Sequence, residues 1–147
     1  MALPPQKFRE IIVQLLYSQD FAPIDQLESI PFMMHELKVT KRTMVDVHER
    51  IDQIIEKLEG IDAKIAEAST EYTFDRISKV ERTIIRLGLY ELFFDPSIHP
   101  KVVFAEAVRL CRKFGSPESA NFVHAILDKI YKKGSLVNEL ANQSVSL

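Results

Sequence analysis

Arg82-Thr-Ile-Ile-Arg-Leu-Gly-Leu-Tyr-Glu-Leu92 sits within a stretch, Val80 to Phe94, whose apolar residues fall all round a helical wheel. A helix greasy on every side is enclosed by other helices, so this segment reads as the central helix of an all-α protein. The run that follows is Ala105-Glu-Ala-Val-Arg-Leu-Cys-Arg-Lys-Phe-Gly-Ser-Pro-Glu-Ser-Ala-Asn-Phe-Val-His-Ala-Ile-Leu-Asp-Lys-Ile130. It reads as a helix–Gly–helix hairpin. Val102 to Phe114 is helical and stops at Gly115. Ser116 then caps the next helix, Pro117 takes its first position, and Glu118 complements the positive helix end. Val123, Ile126, Leu127 and Ile130 form its core stripe. Lys129, Lys132 and Lys133 gather at its negative end, and Gly134 terminates it, leaving residues 135–147 as a flexible polar tail.

Upstream, apolar residues recur at three-and-four spacing and only 4 glycines occur, so helices dominate. The first helix starts at Pro4 or Pro5 and buries Phe8, Ile11, Ile12, Leu15 and Leu16. Asp20, Pro23 and Asp25 mark a turn, and a helical stretch broken by Pro31 follows. Thr40 caps the next helix, with a stripe of Met44, Val47, Ile51, Ile54 and Leu58 and a stop at Gly60. Ile61, Ile65 and Ala68 continue briefly. Ser69 to Thr73 and Asp95 to Pro100 read as connections. No strand and no internal repeat is expected. The domain spans residues 4–134.

At 147 residues and 46% hydrophobic content, the chain is of one-domain size. Cys111 is the single cysteine, which rules out an intrachain disulfide and suits a reducing compartment. No apolar run reaches the roughly 20 residues of a membrane span. Met-Ala-Leu-Pro-Pro lacks the layout of a signal peptide. The expectation is a soluble cytoplasmic protein. Net charge is −2, but it is unevenly spread. Residues 1–74 carry 8 Lys/Arg against 13 Asp/Glu, and residues 75–147 carry 11 against 8. An RNA ligand would therefore be drawn more to the C-terminal half.

Signatures of catalysis are absent. No glycine-rich phosphate loop occurs, and His35, His48, His99 and His124 are scattered without zinc-ligand spacing. Cys111 reads as a small core residue. No metal, cofactor or enzymatic activity is expected. Surface features carry more. On a helical wheel Lys7, Glu10, Gln14 and Tyr17 lie opposite the first helix's apolar stripe. Tyr17 either packs under a neighbouring loop or offers a flat contact surface to a partner. Phe122 lies at the edge of its helix's stripe, as the rim of the core or as a stacking platform for an unpaired base. Lys113, Ser116 and Asn121 stand close enough to reach phosphate or base edges, beside a helix N-terminus suited to anions. Glu91, inside an apolar helix, needs an arginine or backbone donors; Arg82 and Arg86, one turn apart from each other, offer either that partner or a basic surface.

These blocks, with Arg9-Glu-Ile-Ile-Val-Gln-Leu-Leu-Tyr17, resemble the NusB family of transcription antitermination factors in order and spacing. The resemblance implies a compact bundle of about seven helices arranged as two three-helix subdomains. It implies binding of boxA RNA in ribosomal-RNA transcripts together with the ribosomal protein NusE, and through them an indirect link to the RNA polymerase elongation complex. By position, Lys7, Arg9, Lys113, Ser116, Asn121 and Phe122 match the RNA-facing segments, and Tyr17 and Glu81 match the NusE-facing region. A homodimer masking the RNA face is compatible with this reading. Departures are visible: Pro4-Pro5-Gln6-Lys7-Phe8-Arg9 replaces an arginine-rich opening, His124-Ala125 a usual Asn-Gly pair, and Asn121 a common basic residue. Fewer cations imply weaker, less salt-sensitive RNA binding. Two other readings stand beside it, a helical protein-interaction module without an RNA role and a stand-alone relative of the RNA-binding domain of ribosomal-RNA methyltransferases.

Overall fold

The computed structural model describes residues 3–20, 34–35, 38–69 and 73–145, with side chains of the last helix described as far as Gly134. The expected turn at Pro23 and Asp25 and the break at Pro31 lie outside the described residues. Within them the chain is all-helical, and no strand occurs. The helices are α1 (Pro5–Gln19), α2 (Lys41–Glu56), α3 (Leu58–Ala68), α4 (Lys79–Phe94), α5 (Pro100–Phe114) and α6 (Pro117–Val145), with a 3-10 turn at Phe74–Arg76 before α4. No described helix is long and apolar enough to cross a membrane. The chain divides into two compact units, residues 1–59 and residues 60–147.

In the N-terminal unit α1 packs on α2. Helix α1 starts as its sequence dictates, with Pro5 in the first turn after Pro4. Ile11, Ile12, Leu15 and Leu16 are buried as expected, whereas Phe8 is only half-buried. The expectation that Glu10 faces outward is wrong, since Glu10 is buried together with Arg9 and Val13. A wheel drawn for one covered face misplaces such residues when neighbours enclose most of the helix. Thr40 caps α2, its hydroxyl accepting from the Thr43 backbone N–H at 3.1 Å. Met44, Val47, Ile51 and Ile54 point inward, so the three-and-four spacing holds. The stop expected at Gly60 falls instead at Lys57, and Gly60 lies inside α3. Leu58, next in register, resumes helix at once.

His48 is also buried on α2. Burial holds its imidazole below the usual value of 6.5, against a smaller upward pull from Asp52. Because the folded-state pKa is lowered, the stability tied to the neutral ring is complete above about pH 6.5. It drains away as pH falls through the depressed value. His48→Leu is expected to flatten the fall in Tm between about pH 7.5 and pH 5 relative to the parent. Equal slopes in thermal melts would assign the acid sensitivity to other groups.

In the C-terminal unit α4, α5 and α6 pack against one another. Every residue from Thr83 to Glu91 is buried, as the all-round apolar pattern requires. Ser78 and Glu81 start α4 with a capping box. The Ser78 hydroxyl accepts from Glu81 N–H at 3.1 Å and donates to Glu81 Oε1 at 2.7 Å. Gly88 lets α6 approach, since a Cβ there would lie 3.1 Å from both methyl carbons of Leu127. Arg86 forks onto Asp62 of α3, with Nε and Nη2 each 2.9 Å from a carboxylate oxygen. Glu91 is buried and engaged.

Helix α5 begins at Pro100, two residues earlier than the sequence suggests, because His99 caps it through Nδ1, which accepts from Lys101 N–H at 3.1 Å. The last helix also differs. It does not end at Gly134 but runs to Val145. Gly134 stays in helical conformation, without the positive φ of a left-handed cap.

Candidate nucleic-acid interface

Three local signals build a groove in the C-terminal unit. The α5–α6 corner is the first. The Gly115 N–H donates to the Cys111 carbonyl at 2.7 Å, and a Cβ on Gly115 would approach that oxygen to 3.1 Å. The corner is tight, and glycine suits it. Ser116 then caps α6, its hydroxyl accepting from Ser119 N–H at 3.1 Å. The second signal is the α4 capping box, which sets Glu81 at the start of that helix. The third is the 3-10 turn, which brings Arg76 and Ile77 alongside. Glu81, Ser116, Asn121 and Phe122 line the resulting groove with Arg76, Glu118 and Ala125, about 570 Å3 in volume.

Phe122 is half-buried and Asn121 exposed, while Val123, Ile126, Leu127 and Ile130 are buried as the stripe predicts. One part of the Phe122 side chain therefore rests on the core while another remains accessible in the groove. Lys113 does not line the groove. It is exposed in the last turn of α5, its ammonium 6.0 Å from the Phe114 ring centre.

The structure thus brings together Ser116, Asn121 and Phe122, and adds Glu81, which the family resemblance placed with the protein partner. Lys7, Arg9 and Tyr17 belong to α1 in the other unit. Lys7 is exposed, Tyr17 half-buried, and Arg9 buried at 8% exposure. A guanidinium so covered presents little of itself to a phosphate.

Sequence reasoning missed Arg76. Its signal lay in the Ser78-x-x-Glu81 capping box, which fixes where α4 starts and so where the preceding residues must turn. Arg82 was read as a partner for Glu91 or as basic surface. Its guanidinium carbon lies 4.9 Å from the Phe74 ring centre, holding the 3-10 turn against α4.

Cys111 is fully buried, and its thiol is pushed up to about 12, by burial first and then by the charge of Glu81. At neutral pH it stays protonated and a poor nucleophile. Among the described residues no cluster of His, Cys, Asp and Glu could hold a metal ion. What the groove offers is a ring, an amide, a guanidinium, two carboxylates and two hydroxyls.

Comparison with known proteins agrees with this plan. The NusB family model matches residues 6–132. The chain belongs to the NusB family. The transcription antitermination protein NusB of Chlamydia pneumoniae is 36% identical over 133 residues, covering 90% of this chain and 83% of that protein. The NusB of Citrifermentans bemidjiense is 34% identical over 130 residues, covering 83% of this chain and 90% of that one. Among solved structures, T. maritima NusB superposes with a TM-score of 0.77 at 30% identity, covering 90% of this chain and 93% of that one. A crystal structure of antitermination factors NusB and NusE in complex with dsRNA matches with a TM-score of 0.74 at 28% identity, covering 87% of this chain and 96% of that one. The all-helical expectation and the family resemblance both hold.

Proposed function

We propose that this protein is a transcription antitermination factor that holds RNA jointly with NusE. Membership of the NusB family supports the reading, and a solved NusB with NusE and RNA is a relative of matching fold. The observation that carries it to particular residues is the groove itself. Phe122 offers an aromatic platform in the same groove as Asn121 and Ser116, with Arg76 for phosphate. Stacking tolerates any base, whereas the Asn121 amide can read a base edge.

In this reading the RNA is the boxA element of ribosomal-RNA transcripts, and NusE meets the protein at Tyr17 and Glu81. The assembly then helps RNA polymerase pass terminators, in the cytoplasm. Glu81 and Glu118 make the groove less cationic than a general phosphate track. RNA affinity therefore rests more on stacking and on the protein partner than on released counterions.

Phe122→Ala is expected to weaken boxA RNA binding by about 1–3 kcal/mol, the worth of one base–aromatic stack. Fluorescence anisotropy with labelled RNA, with and without NusE, measures it. A folded Phe122→Ala protein with undiminished RNA affinity would remove this residue from the interface. A salt series distinguishes the reading from a purely protein-binding module, which gives no slope. Tyr17→Asp is expected to lose NusE in co-purification, and retained NusE would relocate that interface.

A further inference from the structure

The far end of α4 carries a second feature with no part in the groove. Phe93 lies about 18 Å along the helix axis from Glu81 at 1.5 Å per residue. There α3, α4 and α6 enclose a cavity of about 260 Å3. Its walls are Ala68, Phe93 and Ile130, and its rim carries Lys64, Lys129 and Lys133 together with one carboxylate, Glu67.

The backbone of α6 presses on the edge of the Phe93 ring. A Cβ on Gly134 would lie 2.7 Å from Cε1 and 2.9 Å from Cζ. Any side chain at that position would displace the Phe93 ring, so glycine there leaves the ring in place as the apolar wall.

Three ammonium groups then converge on one small hole in a chain whose net charge is −2. Glu67 pairs with Lys133, whose hydrogen bond and charge, with a smaller pull from Lys64, hold the Glu67 carboxyl below its usual range, so the rim keeps a net of two positive charges. Lys129 donates to the Ala68 carbonyl at 2.9 Å. Lys64 lies over the Phe93 ring, 5.1 Å from its centre. Neither Lys64 nor Lys129 forms a salt bridge with a carboxylate among the described residues. A net of two positive charges beside an aromatic wall suits a ligand with a flat ring and a doubly charged anion. The volume falls below the about 300–1,000 Å3 of drug-sized sites, which limits the ligand to roughly one ring system with its anion.

We propose that this cavity binds a single nucleotide phosphomonoester, its base against Phe93 and Ile130 and its phosphate between Lys64 and Lys129. The nucleotide is either a terminal residue of a bound RNA or a free mononucleotide. The site is independent of the Phe122 groove, so it stands or falls separately from the RNA reading above.

The test titrates the full chain with AMP, adenosine and inorganic phosphate in turn, following the NMR signals of Ala68, Phe93 and Ile130. AMP is expected to move them with a Kd near or below about 1 mM, and adenosine or phosphate alone to bind at least about tenfold more weakly. Lys64→Glu is expected to raise the AMP Kd by about tenfold or more, while Phe122→Ala leaves it unchanged. Lys129→Gln, which keeps a donor for the Ala68 carbonyl, checks the charge without removing the hydrogen bond. Circular dichroism confirms that each variant is folded. If Lys64→Glu also weakens a 5′-phosphorylated RNA oligomer but not its dephosphorylated form, the natural ligand is an RNA end. If both oligomers bind it as they bind the parent while AMP is lost, the ligand is a free nucleotide. Signals unmoved by AMP at about 10 mM, or moved equally in Lys64→Glu, overturn the proposal.

Discussion

Leu127→Ala is expected to lower the unfolding free energy by about 3–5 kcal/mol, the upper part of the range for a buried leucine. Leu127 has no exposed surface, and its methyl carbons lie where a side chain on Gly88 would begin. Removing them leaves a void with a glycine on its far side, so nothing on that wall can move in to fill it. A protein of this size is stable by only about 5–15 kcal/mol, so the loss is a large fraction. Urea denaturation reads it as a fall in midpoint at unchanged slope. Gly88→Ala alone is expected to crowd Leu127 and cost about 1–3 kcal/mol. In the Leu127→Ala background the added methyl occupies part of the void, so the double variant is more stable than the summed losses predict. Strict additivity would mean that the two helices do not meet at this point.

The second large effect concerns Arg86. Its side chain is 7% exposed and Asp62's is 26% exposed, so the ion pair is buried on one side and partly wet on the other. Breaking a fully buried pair costs about 3–5 kcal/mol. With Asp62 able to recover water, Arg86→Ala is expected to cost about 2–3 kcal/mol. The control is Arg86→Met with Asp62→Leu, which removes both charges and is expected to restore most of the stability. If the double variant is no better than Arg86→Ala, the arginine acts through packing rather than charge. Arg86 also lies 5.8 Å from the Phe74 ring, beside Arg82. Its loss should therefore loosen the turn that brings Arg76 to the groove and weaken RNA binding even at a temperature where the protein remains folded.

Much of the architecture is legible in the amino-acid sequence. The all-round apolar run is enclosed from Thr83 to Glu91, although Phe94 at its end is exposed, and the Gly115-Ser116-Pro117-Glu118 corner falls where its residues put it. Both depend on local rules: burial follows periodicity, and a cap needs a hydroxyl beside an orphan N–H. Errors came where local rules have several outcomes. Gly60 and Gly134 were read as stops, but each sits within a helix, because glycine only permits the terminating conformation and does not impose it. Glu10 was read as solvated because a wheel assumes a single partner.

The candidate site was legible as residue types but not as a place. Phe122, Asn121 and Ser116 could be named from helix spacing, since all three lie within two turns of one helix. Arg76 and Glu81 could not be assigned to the same groove, because they reach it from another helix start and a turn some 40 residues earlier. The lysine-rimmed cavity is more distant still from sequence logic. Lys64, Phe93 and Lys129 share no motif and no spacing.

Order along one helix is written in its own periodicity, so the helical class, the central helix, the caps and the family likeness are all properties of the chain read in line. Convergence of side chains from separate helices depends on how closely the axes approach. Gly88 against Leu127 and Gly134 against Phe93 set that distance within the C-terminal unit. Close approach is a property of two surfaces at once, and neither strand of sequence carries it alone.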